Sequence, residues 1–254
     1  MDARTAVTQS PSPVMDRTDG HLLNGRVRYV QPRAGFRSGI EPVLLAAAIP
    51  ARPAERVLEG GAGAGAALLC LRARIPDVAA VGIELDPAMA DLAGQNAAAN
   101  GWPDLRMIVG DLTELPPIGA FDHVIANPPY HDARGSASPI AERRLAKRAV
   151  GGGLAAWATA LGRSLRARGT LTFILPAASL PEAMAAFTAA DCAPTAMLPL
   201  WPKRDVPAKL LLLRGIKGGR GAFRVLPGLV LHRSDGGFTT EADAILRDGG
   251  SLNL

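Results

Sequence analysis

Metal-ligating and redox spacings are missing from this 254-residue chain, which holds only two cysteines and four histidines. Cys70 and Cys192 fall in apolar, helix-like stretches without a partner at such spacing, so both are expected as buried free thiols. His21, His123, His131 and His232 are scattered, and no metal site is expected from them. Long apolar runs are missing too, because Pro, Arg or Gly interrupts each one before it reaches bilayer-spanning length. The first twenty residues are rich in Ser, Thr, Pro and Asp and lack the apolar core of a signal peptide. They read as a flexible tail. No internal repeat is evident, and the expectation is a cytoplasmic protein with no membrane or metal attachment.

What the chain does contain is 48% hydrophobic residues, enough for a sizeable core, with 28 Gly and 21 Pro to make many short turns. Its length suits one α/β domain over 21–254, with a leading segment 21–55 and a core 56–254 behind the tail 1–20. Strand signals recur near 56–59, 79–84, 105–109, 121–126, 170–175, 195–200 and 208–214. Ala-rich helical segments alternate with them at 64–74, 87–100, roughly 140–167 and 180–190. Such alternation predicts a doubly wound sheet. The last two strands are joined only by Pro202 to Pro207, which predicts a hairpin, an antiparallel seventh strand and hence a mixed sheet. Thr240 with Asp243 resembles a capping box opening a terminal helix at 241–247.

Two motifs carry chemistry. The first is Arg56-Val57-Leu58-Glu59-Gly60-Gly61-Ala62-Gly63-Ala64-Gly65, an apolar run that becomes a glycine-rich turn and then a helix. Gly61, Gly63 and Gly65 let the backbone approach a ligand closely, and the helix start supplies free N–H groups. Glu84 closes the next strand about 20 residues on, where an acid can accept both ribose hydroxyls. The ligand therefore contains a nucleoside. Gly61, Gly63 and Ala66 also satisfy the permissive dinucleotide pattern, but Glu59 stands just before the loop, where it repels a pyrophosphate and attracts the ammonium and sulfonium of S-adenosylmethionine. Asp111, followed by Leu112, is placed to accept from the exocyclic amine of that cofactor's adenine.

The second motif is Asn127-Pro128-Pro129-Tyr130, directly after the strand Phe121 to Ala126. An aromatic amine has its lone pair delocalised into the ring and is a poor nucleophile until hydrogen-bond acceptors localise it. The Asn127 amide oxygen and the Pro128 carbonyl can each take one N–H, and Pro128 and Pro129 hold these acceptors in place. Tyr130 offers a face on which a base can stack, worth roughly 1–3 kcal/mol. The chemistry named is methyl transfer to a planar nitrogen, which needs no strong general base because the protonated product amine is acidic. In a doubly wound sheet Glu59, Glu84, Asp111 and Asn127 end successive strands and meet at the switch point.

The net charge of +5 suits a polyanionic partner. Arg26, Arg28, Arg33 and Arg37 precede the glycine loop, while Arg134, Arg143, Arg144, Lys147 and Arg148 follow Tyr130. Lys217, Arg220 and Arg224, in a Gly-rich loop, are further candidates for phosphate contact.

These residues resemble the class I S-adenosylmethionine-dependent methyltransferases, in their amino-methylating branch. The stretch Gln31-Pro32-Arg33-Ala34-Gly35-Phe36-Arg37-Ser38-Gly39-Ile40-Glu41-Pro42-Val43-Leu44-Leu45 is similar to the leading segment of the bacterial valine-tRNA adenine-N6 methyltransferases, and the likeness runs from about Leu22 onward. It implies a seven-stranded Rossmann-like fold, S-adenosylmethionine as cofactor and the adenosine beside the tRNA anticodon as substrate. In that family the leading segment contacts the methionine end of the cofactor, which implies roles for Arg37, Gly39 and Glu41. The loop departs from the family's D-x-G-x-G-x-G pattern. Its leading acid is Glu59, its second residue is Gly60, and Ala62 and Ala64 replace the usual Cys and Thr.

Protein glutamine methylation on release factors poses the same lone-pair problem, but that family carries an extra N-terminal helical domain for which the leading segment is too short. Methylation of rRNA or DNA bases, and a nucleic-acid-binding module that has lost catalysis, remain as alternatives. Oligomeric state is not legible.

Overall fold

Strand β3 (Arg56–Gly60) buries every residue after its first, the pattern of a strand covered on both faces. It pairs in parallel with β4 (Ala79–Glu84) on one side and β6 (Phe121–Ala126) on the other. A computed structural model describes residues 16–34, 38–129 and 153–254. Beyond β4 lies β5 (Arg106–Val109), and beyond β6 lies β7 (Leu165–Pro176), both parallel to their neighbours. The expected hairpin is formed by β8 (Cys192–Lys203) and β9 (Leu210–Lys217), with β9 inserted antiparallel between β7 and β8. The sheet is therefore mixed, and its seven expected strands run in the order β8-β9-β7-β6-β3-β4-β5.

Two short strands extend it to nine. β10 (Arg224–Val225) and β11 (Leu229–His232) lie end to end along β8, parallel to it. At two and four residues they are too short to display a hydrophobic period.

Helices cover both faces. Consecutive residues of β3 serve opposite layers: Val57 packs in the cluster holding Leu44, Leu69 and Leu92, and Leu58 in the one holding Leu161, Phe173 and Phe187. The first layer contains α1 (Glu41–Ala47), α2 (Ala66–Arg74), α3 (Pro87–Ala99) and α6 (Thr240–Leu246). The second contains α4 (Gly153–Gly162) and α5 (Leu180–Ala189), where Phe187 meets Phe173 edge-on at 4.9 Å. Helix α1 is buried from Pro42 to Ala47 and was not expected within the leading segment. The cap of α6 is Thr239, whose hydroxyl accepts from the Ala242 N–H at 3.1 Å, rather than Thr240. Either threonine has the required chemistry, and one residue of phase decides between them.

The leading segment forms a separate hairpin, β1 (Arg17–Leu22) with β2 (Val27–Pro32). Its turn is made by Leu23, Asn24 and Gly25, all at positive φ. The first strand thus begins inside the stretch expected as tail. It alternates exposed and half-buried polar residues, so hydropathy carries no trace of it.

Asn96 on α3 and Asn100 at its C-cap dock this hairpin on the core. Asn96 accepts the Val30 N–H at 2.9 Å and donates to the Val30 carbonyl at 2.8 Å. Asn100 does the same with Arg28, at 2.8 and 2.7 Å. Four helical residues rise about 6 Å and two strand residues about 6.6 Å, so side chains one turn apart meet alternate residues of β2. The two amides act as a neighbouring strand would.

Candidate functional site

The chain leaves β3 through Gly61 at φ +70°, and the Gly61 and Ala62 N–H groups donate to the Ile83 carbonyl at 2.8 and 3.0 Å. Gly63 at φ +56° and Gly65 at φ +86° complete the turn, with Gly65 standing at the N-cap of α2. These are left-handed conformations that side chains disfavour. At Gly61 space is short as well, since a Cβ would lie 2.8 Å from the Trp157 ring on α4. Gly60 faces a different neighbour: a Cβ there would lie 3.0 Å from both Leu161 methyls and 3.3 Å from Leu112.

Glu84, at the end of β4, is 3% exposed and braces this loop. One carboxylate oxygen accepts the Gly63 N–H at 2.8 Å and the other the Asp86 N–H at 2.9 Å. Glu59, one residue before the end of β3, is 4% exposed. It accepts the Leu68 N–H in the first turn of α2, while its Oε2 is buried with no hydrogen-bond partner among the described residues. Burial, reinforced by the neighbouring Glu84, pushes the Glu59 carboxyl well above the usual carboxylate range.

Glu59, Gly61, Gly63 and Asn127 line one cleft. Asn127 is half-buried at the end of β6, followed by buried Pro128 and half-buried Pro129. Gly39, Gly65, Glu84, Asp111 and Leu112 lie outside the cleft wall. Asp111 closes an Asx turn, accepting the Thr113 N–H at 3.0 Å and its hydroxyl at 2.7 Å, and Leu112 is buried behind it. Arg37, Tyr130, His131 and the basic residues from Arg134 to Arg148 fall outside the described residues.

Among the lining residues not singled out in the sequence are Tyr29 and Ser38 of the leading segment and Met89 of α3. The Tyr29 hydroxyl bonds the Ser38 hydroxyl at 2.8 Å, and burial pushes the phenol up to about 12. A hairpin signal around Asn24-Gly25 would have put Tyr29 on an inward-facing strand.

The direction of β9 places the start of the last basic group, Lys217 and Arg220, away from the cleft. That strand runs away from the cleft, so Lys217 ends at the opposite edge of the sheet, bonded to the Ala190 carbonyl at 3.0 Å and paired with Asp191 at 3.6 Å. Lys217 and the following Arg220 stand roughly 23 Å from the strand ends that carry the cleft. In the hairpin, Arg28 and Arg33 face Asp19 and Asp16. Cys70 and Cys192 are buried free thiols, as expected, raised by burial to about 12 and about 11.

The donor set discriminates between ligands. A buried carboxylate oxygen without a partner is costly unless a ligand supplies a donor or a positive charge. An amine-bearing cation meets that demand beside a glycine cradle, and a pyrophosphate does not. The residues therefore fit S-adenosylmethionine. Among the described residues no helix is long and apolar enough to cross a membrane, and no group of three His, Cys, Asp or Glu is placed to hold a metal.

Comparison with known proteins agrees with this geometry. Residues 41–151 match the family described as methyltransferase small domain. The chain is 28% identical over 209 residues, 82% of its length, to the tRNA1(Val) (adenine(37)-N6)-methyltransferase of Aeromonas hydrophila subsp. hydrophila, of which it covers 87%. It is 32% identical to the protein of the same name from Actinobacillus succinogenes, over 57% of this chain and 63% of that one. Among solved structures, a predicted O-methyltransferase from Agrobacterium tumefaciens superposes with a TM-score of 0.70 at 22% identity, covering 84% of this chain and 99% of that one. A geranyl diphosphate C-methyltransferase from Streptomyces coelicolor A3(2) gives 0.51 at 16% identity, covering 68% and 75%. With its parallel switch point, its acid-flanked glycine cradle and these likenesses, the chain is a class I S-adenosylmethionine-dependent methyltransferase.

Proposed function

We propose that this enzyme methylates the exocyclic N6 of an adenine in tRNA, beside the anticodon, in the cytoplasm. The observation that carries the reading is the position of Asn127 on the wall of the cleft that also holds Glu59 and the glycine turn, with Pro128 buried behind it. The names of the relatives that match most of this chain support the choice of base and RNA.

When bound, S-adenosylmethionine supplies an electrophilic methyl carbon on a positively charged sulfur. Glu59 holds the amino-acid end of that ligand through its unpartnered oxygen, with Gly61 and Gly63 allowing close backbone approach. Glu84 accepts from the ribose hydroxyls, since a carboxylate offers about four lone-pair sites and holds backbone amides at the same time. Asp111, backed by Leu112, accepts from the adenine amine of the ligand. Arg37 and Gly39 complete the methionine end from the leading segment.

On the acceptor side, the Asn127 side-chain oxygen and the Pro128 carbonyl each take one N–H of the target amine and draw its lone pair out of the ring. Pro128 and Pro129 fix φ, so these oxygens are oriented before the base arrives. Tyr130 stacks on the base after it leaves the anticodon loop. No protein base is needed, because the methylated amine loses its proton readily to water. His123 takes no part: it lies at the other end of β6, bonded to Thr170 at 2.8 Å and Glu55 at 3.1 Å.

The test is incubation of purified protein with methyl-labelled cofactor and either tRNA lacking the modification or purified release factor, followed by digestion. Label recovered as N6-methyladenosine from tRNA is the expected result. Label on glutamine of the release factor, or in neither substrate, would overturn the proposal.

A further inference from the structure

The sheet's own topology marks out where a polymeric substrate would lie. Along the edge where β3, β4 and β6 end, Glu59 and the glycine turn lie on the β3–β4 side of Asn127. On the other side the order is β7, β9, β8 and β11. β9 begins and β8 and β11 end at this same edge, because Leu210 pairs with both Pro176 and Leu200, and His232 with Lys203. The loop that joins β8 to β9 therefore lies at this edge on the side of Asn127 away from the glycine turn.

That loop is cationic. Lys203, Arg204 and Lys209 are all exposed there, against a single acid, Asp205. Among the described residues none of the three forms an ion pair, although the charge of Lys203 reaches the Asp235 carboxylate, whereas Arg28, Arg33, Lys217 and Arg233 each pair directly with an aspartate. The backbone is held at both ends. The Val206 N–H donates to the Lys203 carbonyl at 3.3 Å, and the Ala177 N–H, just past β7, donates to the Lys209 carbonyl at 2.9 Å. The Lys203 ammonium also donates to the Ser234 carbonyl at 3.3 Å, which ties the loop to the end of β11. Three interstrand steps separate β6 from β8, roughly 14 Å, a distance that a few nucleotides bridge.

We propose that the β8–β9 loop is a phosphate-docking platform for the RNA substrate, with Lys203, Arg204 and Lys209 neutralising backbone phosphates beside the base held at Asn127. The platform rests on the RNA reading given above and adds to it the surface by which the polymer is held. Its contacts are to phosphate, so it contributes affinity and orientation without choosing the base.

The experiment measures binding of unmodified tRNA to the full chain over a series of salt concentrations, for wild type and for Lys203→Ala/Arg204→Ala/Lys209→Ala. Deleting one cation that neutralises a phosphate lowers the slope of log affinity against log salt by roughly 0.7–0.9. The triple variant is expected to show a slope shallower by about 2 and an affinity at least tenfold weaker at low salt, with calorimetric binding of S-adenosylmethionine unchanged. Lys217→Ala/Arg220→Ala, on the opposite edge, is expected to match wild type. Should the triple variant fold poorly, Lys209→Glu carries the test, because the Lys209 carbonyl that holds Ala177 is retained. A triple variant with the wild-type slope and affinity, in a protein that binds tRNA, overturns the platform alone. Wild-type protein that binds no tRNA overturns the substrate reading together with it.

Discussion

The side-chain nitrogen of Asn96 donates to the Ala64 carbonyl at 3.0 Å and to the Val30 carbonyl at 2.8 Å, so one buried amide joins the glycine turn to the leading hairpin. Asn96→Ala strands three backbone groups and is expected to cost about 2–4 kcal/mol, lowering Tm by about 10 °C. Asn100→Ala removes a similar pair of bonds where Arg28 is exposed and water can replace them. It is expected to cost under about 1 kcal/mol. Thermal unfolding of the two variants checks this, and equal losses would refute the bracing role of Asn96. Because Tyr29 lines the cleft on the same hairpin, Asn96→Ala should also raise the KM for the cofactor more than it lowers kcat.

Glu59 gives the ligand-free protein a distinctive pH dependence. Its folded carboxyl is raised above the unfolded value, so the native state binds more protons than the unfolded chain at pH values between the two. Its contribution to stability is full below the unfolded value near 4.5 and is lost as pH rises through the folded value. Glu59→Gln should abolish this slope while weakening cofactor binding by about tenfold or more, equivalent to at least ~1.4 kcal/mol. Stability curves at several pH values measure the first effect. Calorimetry in buffers of different ionisation enthalpy measures the second and should detect proton release when the cationic ligand binds wild type.

Asn127→Ala removes the acceptor proposed for the target amine. Methyl transfer to tRNA is expected to fall by about 10²-fold or more in kcat, with tRNA affinity within a few-fold of wild type. Single-turnover rates with labelled cofactor provide the measurement. Retained turnover would remove the amine-orienting role.

Gly61→Ala combines left-handed strain of about 1–2 kcal/mol with collision against the Trp157 ring. Trimming the ring should relieve only the second part. The double variant Gly61→Ala/Trp157→Leu is therefore expected to be less destabilised than the sum of its single changes. Simple additivity in denaturant titrations would contradict the contact.

Strand ends were the legible part of this chain. Leu58 to Gly60, Ile83 to Glu84 and Ile125 to Asn127 announce themselves because parallel central strands are continuous apolar runs and their first polar residues fall at the cleft. The leading hairpin was missed for the converse reason. Its first strand buries no side chain, its second buries only Val27, Tyr29 and Pro32, and both are supported by Asn96 and Asn100, remote in the chain. Tyr29 was missed with it. Composition could count the cations near the C-terminal end, but only the antiparallel direction of β9 separates Lys203, Arg204 and Lys209 at the cleft edge from Lys217 and Arg220 at the far one.

The contact between Gly60 and Leu161 ties the size of one position to that of another. A homologous protein with a bulkier residue at the second place of the turn must shorten the leucine behind it or tilt α4 outward. The absence of a side chain at Gly60 is thus set by the helix on the far face of the sheet rather than by the ligand. Swapping this turn for that of a relative would succeed only if the matching helix came with it.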